Sequence, residues 1–187
     1  KNSKNIQNAV ERVSKIVFAL KNYSRQDHSG KKVSTNITES IDTVLTLYHN
    51  QIKQGIEVIK HFKTIPEIEC YPDELNQAWT NIIHNAIHAM SNKGTLTIDV
   101  ALQKIDNTDF VLVAISDTGK GIPREIQERI FEPFFTTKPA GEGSGSGLDT
   151  VSKIVKKHDG KIEVESQPGK GAKFSVYLPV VYSDNSN

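Results

Sequence analysis

The sequence predicts an α+β fold: a two-layer α/β sandwich whose mixed, mainly antiparallel sheet carries helices on one face, preceded by an N-terminal amphipathic helix. Three observations predict it. Strand-like and helix-like runs alternate without regular βαβ spacing, the last two strand-like runs form a hairpin, and the helical runs gather their apolar residues on one side.

From Lys1 to about Asp27 the residues Ile6, Val10, Val13, Val17 and Leu20 recur at alternating four- and three-residue steps, the seam of a helix packed along another helix. Ile16, Ala9 and Tyr23 widen that stripe, so a bundle is expected, completed by a partner chain or a neighbouring helix. The alternative is an ordinary helix folded back on the main domain. DHSGKK then breaks the pattern as a linker. Asn36 stands three residues before Glu39, a capping arrangement for a helix carrying Ile41, Val44, Leu45 and Tyr48. A strand is expected around GIEVIKHF, with Pro66 and Pro72 punctuating the short connection after it. Asp73 opens a long helix whose buried side is marked by Leu75, Ala78, Trp79, Ile82, Ala86 and Met90, and Asn92 and Gly94 end it.

TLTIDVALQKI and FVLVAISD read as two strands joined by the turn-rich DNTD. The stretch from Thr118 to Gly147 is rich in glycine and proline, with one short charged helix expected around REIQERI. Compact domains seldom leave a loop of this length without a function. A helix from Leu148 to His158 comes next, and then KIEVES and AKFSVYLPV pair as a final hairpin. The expected divisions are 1–28 for the amphipathic helix, 29–182 for the main domain and 183–187 for a frayed tail.

Charge narrows the classes of function. Lys and Arg total 23 against 22 Asp and Glu, a formal net charge of +1, which argues neither for nucleic acid nor for an acidic membrane surface. Cys70 stands alone, which excludes an internal disulfide and fits a reducing compartment. No apolar run approaches the roughly 20 residues that cross a bilayer. The charged, Asn-rich start is no signal peptide, and Lys1 in place of methionine suggests a chain that begins inside a longer protein. A soluble, cytoplasmic piece of something larger is expected.

The run NIIHNAIHAM places Asn81, His84, Asn85 and His88 on one helix face. Two histidines four apart can bind zinc, but the metalloprotease pattern needs a glutamate after the first. Asn85 stands there, a neutral amide that cannot serve as general base, and spacing offers no third ligand. A polar face open to solvent is the plain alternative. DTGKGIP puts Asp117 at a strand end before two glycines. A carboxylate there can accept from an exocyclic amine, and the glycines let a flat ring approach the backbone. By itself that pattern also describes a turn. GEGSGSGL places Gly141, Gly143, Gly145 and Gly147 before a helix start, an anion site or, equally, a flexible linker. No Gly-Lys-Ser/Thr comes after it, so it is not a P-loop.

Taken together and in this order, the motifs resemble the ATP-binding domain of sensor histidine kinases, which shares the Bergerat-type fold of the gyrase, Hsp90 and MutL ATPases. The resemblance covers roughly Gly30 to Pro179, with NIIHNAIHAM as N box, SDTGKGIP as G1 box, FEPFFTTK as F box and GEGSGSGL as G2 box. It implies ATP and Mg2+ as ligands, with Asn85 as the magnesium ligand, Asn81 lining the phosphate region and His88 as a basic neighbour of the phosphates. His84 is less defined and sits beside them. Asp117 would receive the adenine amino group, and Gly119, Gly121 and Ile122 would shape the adenine pocket. Lys138, Gly143, Gly145 and Gly147 would meet the phosphates as the lid closes, with Leu148 beside them. Phe131, Phe134 and Phe135 would anchor the lid to the core or to a partner helix.

The resemblance also bears on chemistry and partners. Gyrase-type relatives place a water-activating glutamate where this chain has Asn81, so transfer to a histidine is favoured over rapid hydrolysis, with Asn81, Asn85 and Lys138 as the catalytic set. The first helix resembles the second helix of the dimerisation and phosphotransfer bundle, implying a homodimer through residues 6–23. The implied partners are a histidine-phosphotransfer segment of the same or a sister chain and, through the full-length protein, a response regulator receiver domain. Two departures stand out. None of the six histidines lies on an acceptor segment, so this chain alone should not phosphorylate its normal histidine. Ser146 replaces the leucine usual between the last two glycines, which weakens the apolar seating of the lid. A rival reading is a nucleotide-gated interaction module, or pseudokinase, in which ATP only orders the lid.

Overall fold

The computed structural model describes residues 31–137 and 145–181, and a compact unit begins at Val33. The amphipathic helix expected over 1–28, and with it the dimer contact through 6–23, lies outside the described residues, as do Lys138, Gly141, Gly143 and the tail.

Strands β1 (Val33–Thr35) and β3 (Ile68–Cys70) pair antiparallel as a small separate ribbon. Three-residue strands carry too little alternation to be read from sequence, and this pairing was not expected. The main sheet is mixed, in the order β2-β4-β5-β7-β6, from β2 (Ile56–Phe62), β4 (Gly94–Ile105), β5 (Thr108–Asp117), β6 (Lys161–Ser166) and β7 (Ala172–Pro179). Only β2 with β4 is parallel; the other ladders are antiparallel. The β4–β5 turn is two residues long, and both Asp106 and Asn107 adopt left-handed φ, at 46° and 64°. Asp and Asn tolerate that region, and the turn's twist matches that of the strands.

Helices α1 (Ile37–Leu47), α2 (His49–Ile52), α3 (Pro72–Ala89) and α4 (Gly147–Lys157) complete the unit. Ile37, Ile41, Leu75, Trp79, Ile82, Ile83, Val151 and Val155 form one core with Leu96, Ile98, Val100, Val111, Val113, Ile115, Phe174, Val176 and Leu178. Successive strand residues point to opposite faces, so those odd or even runs define the helix-facing side. The intervening Thr97, Asp99, Leu112, Lys173 and Tyr177 are only partly buried.

Capping explains the boundaries. Asn36 Oδ1 accepts the backbone N–H groups of Thr38 (3.0 Å) and Glu39 (3.4 Å), as the sequence suggests for α1. Helix α3 begins one residue earlier than expected, at Pro72, because proline suits the first helical position, where no N–H is needed. Helix α4 runs Gly147–Lys157, with His158 as its C-cap.

One expected element is absent. REIQERI is not a helix but two 3-10 turns, Arg124–Ile126 and Arg129–Phe131. Pro133 drives the residue before it out of the helical region, and Glu132 is extended at φ −71°, ψ 142°. On the other side, Gln127 Nε2 donates to the carbonyls of Ile122 and Ser166, both at 2.9 Å, tying the segment to the sheet end instead.

Candidate functional site

Helix α3 lies between α1 and α4, and its polar stripe is the one part that the core does not claim. Leu75, Ala78, Trp79, Ile82, Ile83, Ala86 and Ile87 are buried, while Asn81, His84, Asn85 and His88 line a cavity of about 640 Å³. That size suits a nucleotide-scale ligand. Asp117, Gly121, Ile122, Phe135, Gly145, Gly147 and Leu148 line it too, so four separate sequence motifs converge on one space.

Asp117 ends β5, the central strand, and is 7 % exposed. Its Oδ1 accepts the backbone N–H of Gly119 at 2.8 Å. Burial raises its pKa above the ordinary carboxylate value, against the lowering effect of backbone hydrogen bonds from Gly119 and Ala172. A buried carboxylate with lone pairs to spare in an apolar pocket selects a ligand that brings N–H donors. Ile122, Ile126, Ile130, Ala86 and Phe174 supply the apolar walls.

The two glycines after Asp117 differ in their places. Gly119 is not among the lining residues. A Cβ there would lie 2.6 Å from the carbonyl carbon and oxygen of Ala89, so its missing side chain admits the C-terminal end of α3. Lys120 N–H donates to the same Ala89 oxygen at 3.2 Å. Gly121 does line the cavity; its φ is +70°, and a Cβ would collide with the Gln167 carbonyl. These two residues therefore lock the strand-end loop between α3 and the β6–β7 turn.

Helices α3 and α4 run antiparallel and are tied at both ends of their contact. Asn81 Nδ2 donates to the Gly147 carbonyl at 3.2 Å, and the backbone N–H of Tyr71 donates to His158 Nε2 at 3.0 Å. The first tie sets the α4 N-terminus, with its free N–H groups and positive dipole end, against the cavity. Asn81 is thus a structural tie as well as a lining residue. Asn85 has no hydrogen-bond partner among the described residues, which leaves its amide oxygen available to a ligand.

The F-box aromatics divide. Phe135 lines the cavity with the Arg129 guanidinium 4.7 Å from its ring centre, Phe131 packs on the core, and Phe134 is 82 % exposed with φ 63°. A Cβ on Gly145 would strike the Phe134 backbone, so these two chain segments meet closely. Ser146 is the N-cap of α4, and its carbonyl accepts from both the N–H (3.0 Å) and the hydroxyl (2.7 Å) of Thr150. Lys120, Ile126, Ile130, Thr136 and Thr137 also line the cavity and were not singled out from sequence. The four-residue step from Ile126 to Ile130 was the available signal. Among the described residues no group of three or more His, Cys, Asp or Glu could hold a metal ion, and no helix is long and apolar enough to cross a membrane.

Similar proteins are known. Residues 70–182 match the family described as histidine kinase-, DNA gyrase B-, and HSP90-like ATPase. The chain is 36% identical over 174 residues to the sensor histidine kinase ZraS of Salmonella typhi, covering 91% of this chain and 36% of that protein. It is 40% identical over 116 residues to sporulation kinase E of Bacillus subtilis, covering 62% and 15%. The nucleotide-free catalytic domain of the histidine kinase ThkA superposes with a TM-score of 0.68 at 30% identity, covering 79% of this chain and 96% of that one. The chain therefore spans about a third of the length of the ZraS kinase it matches.

Proposed function

Since the chain belongs to the histidine kinase-, DNA gyrase B- and HSP90-like ATPase family, as the ATP-binding catalytic domain of a sensor histidine kinase, we propose that it holds Mg-ATP in the cavity between α3 and α4. The observation that carries this is the buried Asp117 carboxylate in an apolar cavity that also takes in the N-terminus of α4. In this reading Asp117 accepts the adenine amino group, Ile122 and its apolar neighbours flank the base, and Gly145, Gly147 and Leu148 meet the phosphates. His88 is their basic neighbour, and Lys138 and Gly143 of the lid join them. Gly119 and Gly121 fix the loop on which Asp117 depends.

Asn85 fits a magnesium ion, being a neutral hard-oxygen donor on the cavity wall with no hydrogen-bond partner among the described residues. Magnesium would neutralise charge on the triphosphate. The chain's own residues then orient the γ-phosphoryl, and Asn81, an amide tied to Gly147, offers no general base to activate water. Transfer to a histidine is accordingly the activity proposed for the whole protein. The acceptor is a phosphotransfer segment of the same or a sister chain, in a dimer built through residues 6–23, and a response regulator receiver domain takes the phosphoryl group next. ATP and a buried Cys70 that forms no disulfide both fit the cytoplasm.

Calorimetric titration with a non-hydrolysable ATP analogue, with and without magnesium, tests this. One magnesium-dependent site is expected. Absence of binding, even after Ser146→Leu restores the lid's apolar residue, would defeat it.

A further inference from the structure

Ile122 lines the cavity, and both of its backbone polar groups are held by side chains from behind it. Its N–H donates to Ser166 Oγ at 2.8 Å, and its carbonyl accepts Gln127 Nε2 at 2.9 Å. The two holders are themselves joined, since Gln127 Nε2 also donates to the Ser166 carbonyl at 2.9 Å. An N–H can only donate and a carbonyl can only accept. The Ser166 hydroxyl proton is therefore directed at the Gly171 carbonyl, 2.7 Å away, and the Gln127 amide must turn its NH2 group to its two carbonyls. Neither Ser166 nor Gln127 lines the cavity. Both line a second groove, which shares Asp117, Pro168 and Ala172 with it. They act on a ligand in the cavity only through Ile122. The turn that carries Ser166 also grips Asp117: Ala172 pairs with Asp117 in the β5–β7 ladder, and a Cβ on Gly171, whose φ is +84°, would collide with the Asp117 carbonyl. One turn thus holds the carboxylate at one end and the apolar wall at the other.

We propose that Ser166 and Gln127 are positioning residues for base recognition: by fixing the Ile122 backbone against the β6–β7 turn, they set the gap between Asp117 and the apolar wall. This role rests on the nucleotide reading above and extends it to the side chains that decide which base is accepted. Recognition needs its groups held to within about 0.5 Å, which supporting hydrogen bonds supply. Guanine carries a carbonyl where adenine has its amino group, and an ionised carboxylate repels that carbonyl. A wall held at a set distance keeps either base edge against Asp117. A slack wall lets the wrong base shift aside and escape the repulsion, while the right base loses its hydrogen bond.

The test is calorimetric titration of the full chain with non-hydrolysable ATP and GTP analogues under magnesium, in Ser166→Ala and in Gln127→Met. The first removes the acceptor of the Ile122 N–H; the second keeps side-chain length and removes the donors. Each should weaken the ATP analogue roughly tenfold, the effect of leaving a hydrogen-bonding group unmet, and weaken the GTP analogue less. The preference for ATP over GTP should therefore shrink. Ser166→Thr, which retains the hydroxyl, should keep it. The Ile122 amide should exchange faster with deuterium in Ser166→Ala. Titrations are run well below the unfolding midpoint of each variant, so that a loss of folding is not read as a loss of fit. Unchanged affinity for the ATP analogue in both variants overturns the positioning role alone. Equal losses for the two analogues overturn it too, being what a general loosening of the domain gives. An unmodified chain that binds neither analogue defeats the proposed function, and this role with it.

Discussion

His158 Nε2 accepts the backbone N–H of Tyr71 at 3.0 Å across 87 residues of sequence, while its Nδ1 lies 2.8 Å from the Ile154 carbonyl. A carbonyl can only accept and an N–H can only donate. The ring is therefore the neutral tautomer with its proton on Nδ1. At 4 % exposure it is the buried pin between the C-terminus of α4 and the N-terminus of α3. Outside it, Lys157 pairs with Glu74 at 2.6 Å and sits over the Tyr71 ring.

His158→Ala takes the acceptor from the part-buried Tyr71 N–H and opens a void. It should cost about 2–4 kcal/mol of stability. Urea unfolding measures it, and a loss below about 0.5 kcal/mol, the scatter of neutral surface changes, would show that the pin bears no weight.

Asp117 sets a pH dependence whose sign derives from its burial. Its folded-state pKa is raised, so ionisation penalises the folded form. That penalty is absent below the ordinary carboxylate range and is in place once pH exceeds the raised value. The adenine role proposed for Asp117 needs the ionised acceptor, so nucleotide affinity should fall with decreasing pH on the alkaline side of the ordinary range. Asp117→Asn should weaken ATP binding roughly tenfold or more, as expected for a hydrogen bond to a charged group, without lowering the unfolding midpoint at neutral pH. Equal affinity of the unmodified chain for ATP and GTP would contradict the role.

Asn85→Ala removes a side chain with no hydrogen-bond partner among the described residues, so stability should change by no more than about 0.5 kcal/mol. The magnesium dependence of nucleotide binding should disappear. Retained dependence in titration would place the metal elsewhere.

Gly119→Ala sets a methyl group against the Ala89 carbonyl and strains the Lys120-to-Ala89 hydrogen bond. The expected loss is about 2 kcal/mol, typical of overpacking. The Lys120 amide should exchange faster with deuterium. An unaltered midpoint together with unaltered exchange would mean that the loop has slack.

The main sheet was legible because its strands obey a period of two and DNTD supplies residues that tolerate a tight hairpin. The convergence of Asn81, Asn85, Asp117, Gly121 and Gly147 was legible only through the order of the motifs, since no single one distinguishes a site from a turn. What escaped was decided by distant partners. Gln127 is drawn to Ser166 rather than into a helix, His158 finds Tyr71 rather than solvent, and Gly119 yields space to Ala89 rather than to a ligand. Spacing along a chain carries no record of such meetings.

The sheet order leaves β2 and β6 as outer strands, each with a row of backbone groups unpaired within the main sheet. Such rows invite strands from other molecules, the first step toward aggregates. Both strands carry charged residues: Glu57 and Lys60 on β2, and Lys161, Glu163 and Glu165 on β6. Lys161 pairs with Glu163 at 2.5 Å and Lys173 with Glu165 at 3.3 Å, so an incoming strand would have to strip solvated ion pairs. The two open borders of the sheet are thus guarded by the residues least willing to be covered.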